Sequence, residues 1–270
     1  MKFIHLSDLH IGKKVNEFSM LEDQKYIFDK MISIIEQQKV DGVWIAGDIY
    51  DKSIPSREAV QVFDDFLTKI ASKNIPVFVI SGNHDAAERI AFGAELMKQS
   101  KVYFSPVFDG NVSEIILKDE YGEIAIYLLP FIKPATVRPY YSDVEINSYN
   151  DAVKTVIEHI NINKNRRNVL IAHQFVTGAE KSNSEDISVG GIDNVDADVF
   201  NDFDYVALGH IHKPQYVGRE TIRYCGTPLK YSFSEVNHKK FVSIVTMKQK
   251  GNISIEEFSM YVTFGHVKTA

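Results

Sequence analysis

Five short segments each close an apolar run with side chains that bind divalent cations. They are Asp8-Leu9-His10, Gly47-Asp48-Ile49-Tyr50-Asp51, Gly82-Asn83-His84-Asp85, Ala172-His173 and Gly209-His210-Ile211-His212. Carboxylate, imidazole and amide oxygen suit such ions, and each is deprotonated or neutral near physiological pH. The candidate ligands are Asp8, His10, Asp48, Asn83, His173, His210 and His212. In Asp8-x-His10 and His210-x-His212 the outer residues point to one side of an extended segment, so each pair can grip one ion. Glycine precedes Asp48, Asn83 and His210, where it lets the backbone turn sharply and come close to an ion. One such dipeptide alone reads as a polar strand end or a turn. Five of them behind apolar strands, with no cysteine ligand, point to two cations at one edge of a sheet. Two divalent ions activate water and neutralise charge on phosphorus oxygens, so the expected chemistry is phosphate-ester hydrolysis.

The intervening sequence supplies the elements that would hold these groups. Lys2 to Leu6, Val43 to Ala46 and Val77 to Ile80 are short, apolar and β-prone, and read as buried strands. Between them fall a helix from Glu17 to about Lys39 capped by Asn16, and a helix with Pro55 in its first turn and Val60, Phe63, Phe66, Leu67 and Ile70 on its apolar side. A third helix is expected from Ala86 to Lys98. Strand–helix alternation predicts a mostly parallel sheet, and ligands of such sheets gather outside the carboxyl ends of the strands, where the first three motifs sit. From Val102 to Pro130 the pattern shifts to shorter alternating strands with a turn at Tyr121-Gly122. A helix over Asn150–Ile162, strands over Asn168–Ala172 and Phe203–Leu208, a long loop over Phe175–Asp198 and late antiparallel strands complete the reading. The two β-rich stretches suggest a second sheet packed on the first, giving an α/β fold in four layers, α/β/β/α, with two mixed sheets flanked by helices.

The chain has 270 residues, is 44% hydrophobic and 24% charged, and carries a formal net charge of −6. That balance disfavours nucleic-acid binding through overall charge. A phosphate-rich ligand must be held by a local field, and Asp8 and Asp48 would cancel only half the charge of two divalent ions. No apolar run is long enough to span a bilayer, and the N-terminus does not read as a signal peptide. A single cysteine, Cys225, excludes an internal disulfide and fits a reducing, cytoplasmic setting.

The order Asp-x-His, Gly-Asp-x-x-Asp, Gly-Asn-His-Asp, His, Gly-His-x-His resembles the calcineurin-like metallophosphoesterase superfamily. Within it, Ile4-His5-Leu6-Ser7-Asp8-Leu9-His10-Ile11-Gly12, Gly209-His210-Ile211-His212-Lys213-Pro214-Gln215, Tyr224-Cys225-Gly226-Thr227-Pro228-Leu229 and Tyr231-Ser232-Phe233-Ser234-Glu235 resemble the SbcD-type branch of DNA-repair nucleases. The resemblance runs from Met1 to about Val262, which would be the nuclease domain (1–262). It implies a di-manganese nuclease that trims DNA ends with an SbcC-type ATPase partner. One ion would sit on Asp8, His10, Asp48 and His212, the other on Asp48, Asn83, His173 and His210, with Asp48 bridging. His84 would be the catalytic histidine that protonates the leaving group, and Asp51 the carboxylate that orients it. Asp51 is followed by Lys52-Ser53 where the phosphoprotein phosphatases carry Arg-Gly, which disfavours a phosphoprotein substrate. Residues 263–270 match nothing in the branch, so its cap and partner-binding region are expected to be absent.

For DNA phosphates, Lys13, Arg89 and Lys213 rank first by closeness to the motifs, ahead of Lys14, Lys52, Arg57, Lys230, Lys239 and Lys240. Tyr50 and Phe175 are candidates to wall the site, and the loop Gln174–Asn194, with Gly190-Gly191, to border it. The resemblance implies a homodimer, here through Val60, Phe63, Phe66, Leu67, Phe92 and Leu96; packing on the sheet is the other reading of these residues. Two alternatives stand beside the nuclease: a metallophosphodiesterase acting on small nucleotides, and a non-catalytic subunit that docks the ATPase.

Overall fold

A computed structural model describes residues 1–182 and 193–260. In chain order the strands that build the two large sheets are Lys2–Leu6 (β1), Gly42–Ala46 (β2), Val77–Ile80 (β3), Val102–Phe104 (β4), Ser113–Asp119 (β5), Gly122–Leu128 (β6), Arg167–His173 (β7), Tyr205–Gly209 (β8), Gln215–Val217 (β9), Arg219–Tyr224 (β10), Phe241–Met247 (β11) and Ile253–Ser259 (β12). The long helices are Leu21–Gln38 (α1), Arg57–Ala71 (α2) and Tyr149–Glu158 (α3). The first sheet runs β12-β11-β1-β2-β3-β4, parallel from β1 to β4 and antiparallel at the β11 and β12 edge. The second runs β9-β10-β8-β7-β6-β5, parallel in its four central strands and antiparallel at both edges.

Side-chain alternation along the strands sorts the apolar residues into three cores. Ile4, Leu6, Val43, Ile45, Val77 and Val79 pack outward on α1 and α2. Phe3, Trp44, Ala46 and Phe78 pack inward on Ile126, Val169, Ile171 and Ala207 of the second sheet. Tyr127, Leu170, Val206 and Leu208 of that sheet pack outward on Ala152, Val153 and Val156 of α3. Successive strand residues alternate faces, so strands apolar on both sides require this double coverage. The four layers α/β/β/α follow, as the sequence indicates. No described helix is long and apolar enough to cross a membrane.

Several local expectations are corrected. Asn16 does not cap a helix. It and Glu17 take φ of 47° and 69°, the double left-handed turn that closes a tight hairpin between Lys14–Val15 and Phe18–Ser19. α1 therefore starts at Leu21, with no side-chain cap. Pro55 lies outside α2, whose cap is Ser56, accepting a hydrogen bond from the Ala59 amide. The helix expected over Ala86–Lys98 is broken into turns at Ala87–Ile90 and Ala94–Met97, because Gly93 adopts φ 74° between them. The loop from Phe175 to Asp198 contains order: Phe175–Val176 pairs in parallel with Asn194–Val195, and Ala197–Phe200 forms a 3-10 turn. The Gly190-Gly191 pair and the tail 263–270 lie outside the described residues.

At the end of the molecule away from the motif loops, the two sheets are locked by one buried side chain. Arg167 opens β7, the strand that His173 ends. Its guanidinium donates to both carboxylate oxygens of Asp119 (3.1 and 2.5 Å), to the Gly122 carbonyl of the same sheet (2.7 Å) and to the Lys248 carbonyl at the end of β11 in the other sheet (2.9 Å). The pair holds the Asp119 carboxyl well below its ordinary range, against a smaller opposing effect of burial. The Met1 ammonium also pairs with Asp119 at 2.7 Å, so Arg167→Ala leaves that carboxylate a counter-charge but removes the charge-assisted hydrogen bonds that tie the sheets, and is expected to lower unfolding stability by about 1.5–3 kcal/mol. Urea denaturation followed by circular dichroism measures it, and a loss under about 1 kcal/mol would mean the clamp is not structural.

Candidate metal centre

All five motif loops leave the carboxyl ends of central strands: β1, β2 and β3 in one sheet, β7 and β8 in the other. Packing the sheets face to face brings those ends together. The first two loops stay zipped beyond their strands, through Asp8 N–H to the Gly47 carbonyl (3.0 Å), His10 N–H to that of Asp48 (3.0 Å) and Ile11 N–H to that of Ile49 (2.9 Å). Four of the candidate ligands sit in left-handed backbone, with φ of 51° at Asp8, 43° at His10, 49° at Asp48 and 98° at His210. Such conformations cost energy away from glycine and mark positions where the surroundings dictate the backbone. Space is equally constrained: a methyl group on Gly82 would collide with the Asp48 carboxylate, and one on Gly209 with the Ala46 carbonyl.

Asp48 lies at the centre. Its Oδ2 is 3.3 Å from His173 Nε2, 3.7 Å from His10 Nε2 and 4.0 Å from His84 Nε2, while Oδ1 accepts the His84 amide at 2.9 Å. The Asn83 amide oxygen lies 3.0 Å from His173 Nε2 and 2.9 Å from His210 Nδ1. His10 Nε2 and His212 Nε2 face each other at 3.1 Å, and Asp8 accepts the His210 amide at 3.0 Å. Asp8, His10 and His212 form one group of mutually close donors, Asp8, Asp48 and His173 a second, and His10, Asp48 and His84 a third. The seven ligands nominated from sequence are thus brought together. The donor set fits divalent cations: it is all oxygen and nitrogen, it is buried, and its facing ring nitrogens need a proton or a cation to be satisfied.

The electrostatics of the metal-free protein show how the cluster tolerates burial. Burial and the nearby Asp48 raise the Asp8 carboxyl to about 6. Burial would also raise Asp48, but the charge and hydrogen bond of His173, together with the charges of His10 and His84, outweigh it and hold Asp48 well below the usual carboxylate range. His173 is pushed up to about 9, since Asp48 overcomes the effect of burial. Burial and the His173 charge push His210 down to about 3, and burial holds His10 well below its ordinary value. A proton on His173 is therefore the charge that compensates Asp48 when no cation does.

His84 borders the cluster, and its Nδ1 meets the main-chain carbonyl of Asp51 at 3.0 Å. The Asp51 carboxylate instead pairs with Lys13 at 2.8 Å and lies 3.9 Å from His10 Nδ1, so the group that residue 51 aims at His84 is its carbonyl rather than its side chain. Of the candidate DNA contacts, Lys13 is taken up in that pair, Lys213 pairs with Glu180, and Arg89 is exposed in the turn after the third motif. Lys240 is removed from the candidates because it is buried. Lys14, Lys52, Arg57, Lys230 and Lys239 are exposed. Tyr50 belongs to the outer core, edge-on to Phe63 at 5.7 Å. Phe175 does border the site, 6.5 Å from the His210 ring. Phe63, Phe66 and Leu67 are buried under α2 and cannot pair subunits, whereas Val60, Phe92 and Leu96 are exposed.

Several contributors were not foreseen. Asp85 accepts the amides of Gly82 (2.9 Å), Tyr50 (3.0 Å) and Ile49 (3.1 Å), tying the second motif loop to the third. Its place directly after Asn83-His84 was the available signal. Phe131 stacks 6.4 Å from His210, and with Tyr149 and Phe175 walls a cavity of about 180 Å³ that Asn83 and His210 border. Glu235 receives His212 Nδ1 at 3.0 Å; it ends the Tyr231–Glu235 segment that carries the branch resemblance, but nothing in that segment announces a contact with His212.

Comparison with known proteins gives three results. The family model for calcineurin-like phosphoesterases matches residues 1–214. Two curated SbcD subunits of the SbcCD nuclease are similar: that of Staphylococcus epidermidis is 36% identical over 89% of this chain, and that of Staphylococcus saprophyticus is 33% identical over 93%. The aligned regions cover 64% and 66% of those relatives, so the chain spans a little under two thirds of their length. Among solved structures, a dimetal phosphatase from Danio rerio matches with a TM-score of 0.59 at 10% identity, covering 97% of this chain and 96% of its own. A Thermus thermophilus protein matches with a TM-score of 0.53 at 13% identity, covering 96% of this chain and 99% of its own. These likenesses show a shared fold.

Cation binding has a definite pH dependence here. His173 must lose its proton before Nε2 can donate, so affinity is expected to fall as pH drops below about 9, and more steeply once Asp8 also protonates below about 6. Near neutral pH, binding should release about one proton from His173. Isothermal titration of Mn²⁺ in buffers of different ionisation enthalpy counts it. No proton release and a flat affinity from acid to alkaline pH would remove His173 and Asp8 from the ligand set.

Proposed function

The chain belongs to the calcineurin-like phosphoesterase family, and from that premise we propose that it is a metal-dependent nuclease that hydrolyses DNA phosphodiesters as an SbcD-type subunit. The observation that carries this reading is the convergence of Asp8, His10, Asp48, Asn83, His173, His210 and His212 on one buried crevice, with His84 at its edge. The similarity to the two SbcD proteins over most of this chain supports DNA as substrate. The aromatic cavity beside Asn83 and His210 suits a flat ring next to the phosphate.

In this reading Asp8, His10, Asp48 and His212 hold one divalent ion and Asp48, Asn83, His173 and His210 the other. Manganese is the proposed metal; the donors also accept iron, zinc or cobalt. When bound, the ions supply an activated water and a positive field at the phosphorus oxygens. The protein's own part is positional. Asp48 would supply a carboxylate to both ions. The Asp51 carbonyl accepts a hydrogen bond from the Nδ1–H of His84, which turns Nε2 toward Asp48 and the crevice. A second proton on Nε2 can then pass to the leaving 3′-oxygen. Lys13, Arg89 and Lys213 are proposed to hold flanking phosphates. An SbcC-type ATPase is the proposed partner, and a homodimer through Val60, Phe92 and Leu96 the proposed assembly. Light scattering that reports a monomer at working concentration rules that assembly out.

Mutants separate the roles. His84→Ala is expected to keep Mn²⁺ and lose about 10²–10⁴-fold in turnover on DNA ends. Asp48→Ala should lose both metal and activity, since it serves both ions. Metal content by atomic absorption and Mn²⁺-dependent cleavage of single strands, duplex ends and a chromogenic diester measure these outcomes. Full activity in His84→Ala overturns the acid role. Cleavage of the small diester alone would favour a small-nucleotide phosphodiesterase, and no cleavage at all a docking subunit.

A further inference from the structure

The family model stops at residue 214, yet a buried charged group further along the chain reaches the candidate metal centre. Glu235 is fully buried in the turn Phe233–Glu235. One carboxylate oxygen, Oε1, meets His212 Nδ1 at 3.0 Å. The other, Oε2, accepts from Lys240 Nζ at 2.5 Å, from Thr227 Oγ1 at 3.3 Å and from the Tyr231 amide at 3.4 Å. Lys240 is buried as well, and its ammonium also donates to the main-chain carbonyl of His212 at 2.9 Å and to Thr227 Oγ1 at 2.5 Å. Lys240 therefore grips His212 twice, through its backbone and through the carboxylate on its ring.

A buried ion pair is seldom justified by stability, because desolvation offsets most of the attraction and an apolar pair packs as well. What this pair supplies is direction. A carboxylate accepts and cannot donate, so the neutral His212 ring must carry its proton on Nδ1. Nε2, the nitrogen that faces His10 at 3.1 Å, is left as a lone pair pointing into the crevice. His173 is fixed in the same sense by a weaker acceptor, the Ala46 carbonyl, 2.7 Å from its Nδ1.

We propose that Glu235, seated on Lys240, is a positioning residue of the metal centre: it locks His212 in the Nδ1–H tautomer and raises the affinity of the ion that His212 binds. The affinity half rests on the ligand assignment above, whereas the tautomer half does not. A carboxylate behind a histidine ligand is generally worth about 10–100-fold in metal affinity.

The test uses the metal-free and Mn²⁺-titrated protein without DNA. Nitrogen-15 shifts of labelled histidine, assigned by the loss of one signal in His212→Gln, should report the Nδ1–H tautomer for His212 in the wild type. The Nε2–H tautomer overturns the proposal and needs no Glu235 variant. In Glu235→Gln the amide can turn either its oxygen or its nitrogen to the ring, so the tautomers should mix. One of the two Mn²⁺ affinities should drop about 10–100-fold while the other holds within about twofold. Glu235→Gln also leaves Lys240 buried without its counter-charge and lowers stability. The double variant Glu235→Gln, Lys240→Met removes that burden, and its melting temperature should return toward the wild type. If the affinity loss persists in the double variant, Glu235 acts on the ion. If affinity recovers with stability, the pair is only a structural staple and the proposal fails. Unchanged affinities in both variants overturn the role of Glu235 in metal affinity. The Mn²⁺ affinities of His212→Gln decide the ligand assignment separately: a loss there with none in the Glu235 variants rejects only the proposal, and no loss in any of them rejects His212 as a ligand.

Discussion

The structure is organised around the burial of Asp48. A carboxylate inside a protein is tolerable only beside compensating charge, and this one is ringed by His173, His10 and His84 within 4.0 Å. The protein concentrates these groups where two sheets bring their strand ends together, and pays for the concentration in backbone geometry. Asp8, His10, Asp48 and His210 are all driven into left-handed conformations, and Gly82 and Gly209 leave no room for a side chain. A proton on His173 relieves the charge in the absence of metal, so proton and cation compete for one role. The glycines, the strained turns and the face-to-face packing of β2 and β3 on β7 and β8 all serve that single requirement.

What could be read from sequence follows from how local each feature is. Strands ending in Asp-x-His or Gly-Asn-His announce themselves because chemistry and strand lie within a few residues, and the cluster of candidate ligands was legible for that reason. The four layers were legible because strands apolar on both faces need cover on both. The failures lie where two local signals compete or where the partner is distant. Asn16 favours a helix cap and a left-handed turn alike, and the pairing of Lys14–Val15 with Phe18–Ser19 decides for the turn. Phe63, Phe66 and Leu67 carry an apolar face that suits a subunit interface or a sheet, and the sheet takes it. Lys240 reads as a solvated surface cation until Glu235 and the His212 carbonyl are seen around it.

The overall charge of −6 and the chemistry of the crevice are consistent. Two divalent ions bring more positive charge than Asp8 and Asp48 cancel, so the site can draw a phosphate without a basic surface. Two of the three cations nearest the motifs are already engaged, Lys13 with Asp51 and Lys213 with Glu180. Under the phosphate-holding role proposed for these lysines, a phosphate would compete with those carboxylates. Lys213 and Glu180 are exposed, where such pairs are worth little and exchange readily. Lys13 is more enclosed, and its partner Asp51 offers its carbonyl to His84.

The stretch after residue 214 is no appendage to this arrangement. β11 inserts beside β1 and extends the first sheet at the strand that carries Asp8 and His10. β10 lies beside β8, the strand that delivers His210. Between β10 and β11 runs the turn that holds Glu235, with Lys240 immediately before β11. One segment therefore closes the free edge of both strands and sets the ring of His212 between them. Residues 1–214 contain every candidate ligand, but the orientation of His212 and the pairing of both edge positions depend on chain that comes later. A fragment ending at 214 would keep the ligands and lose the groups that aim one of them.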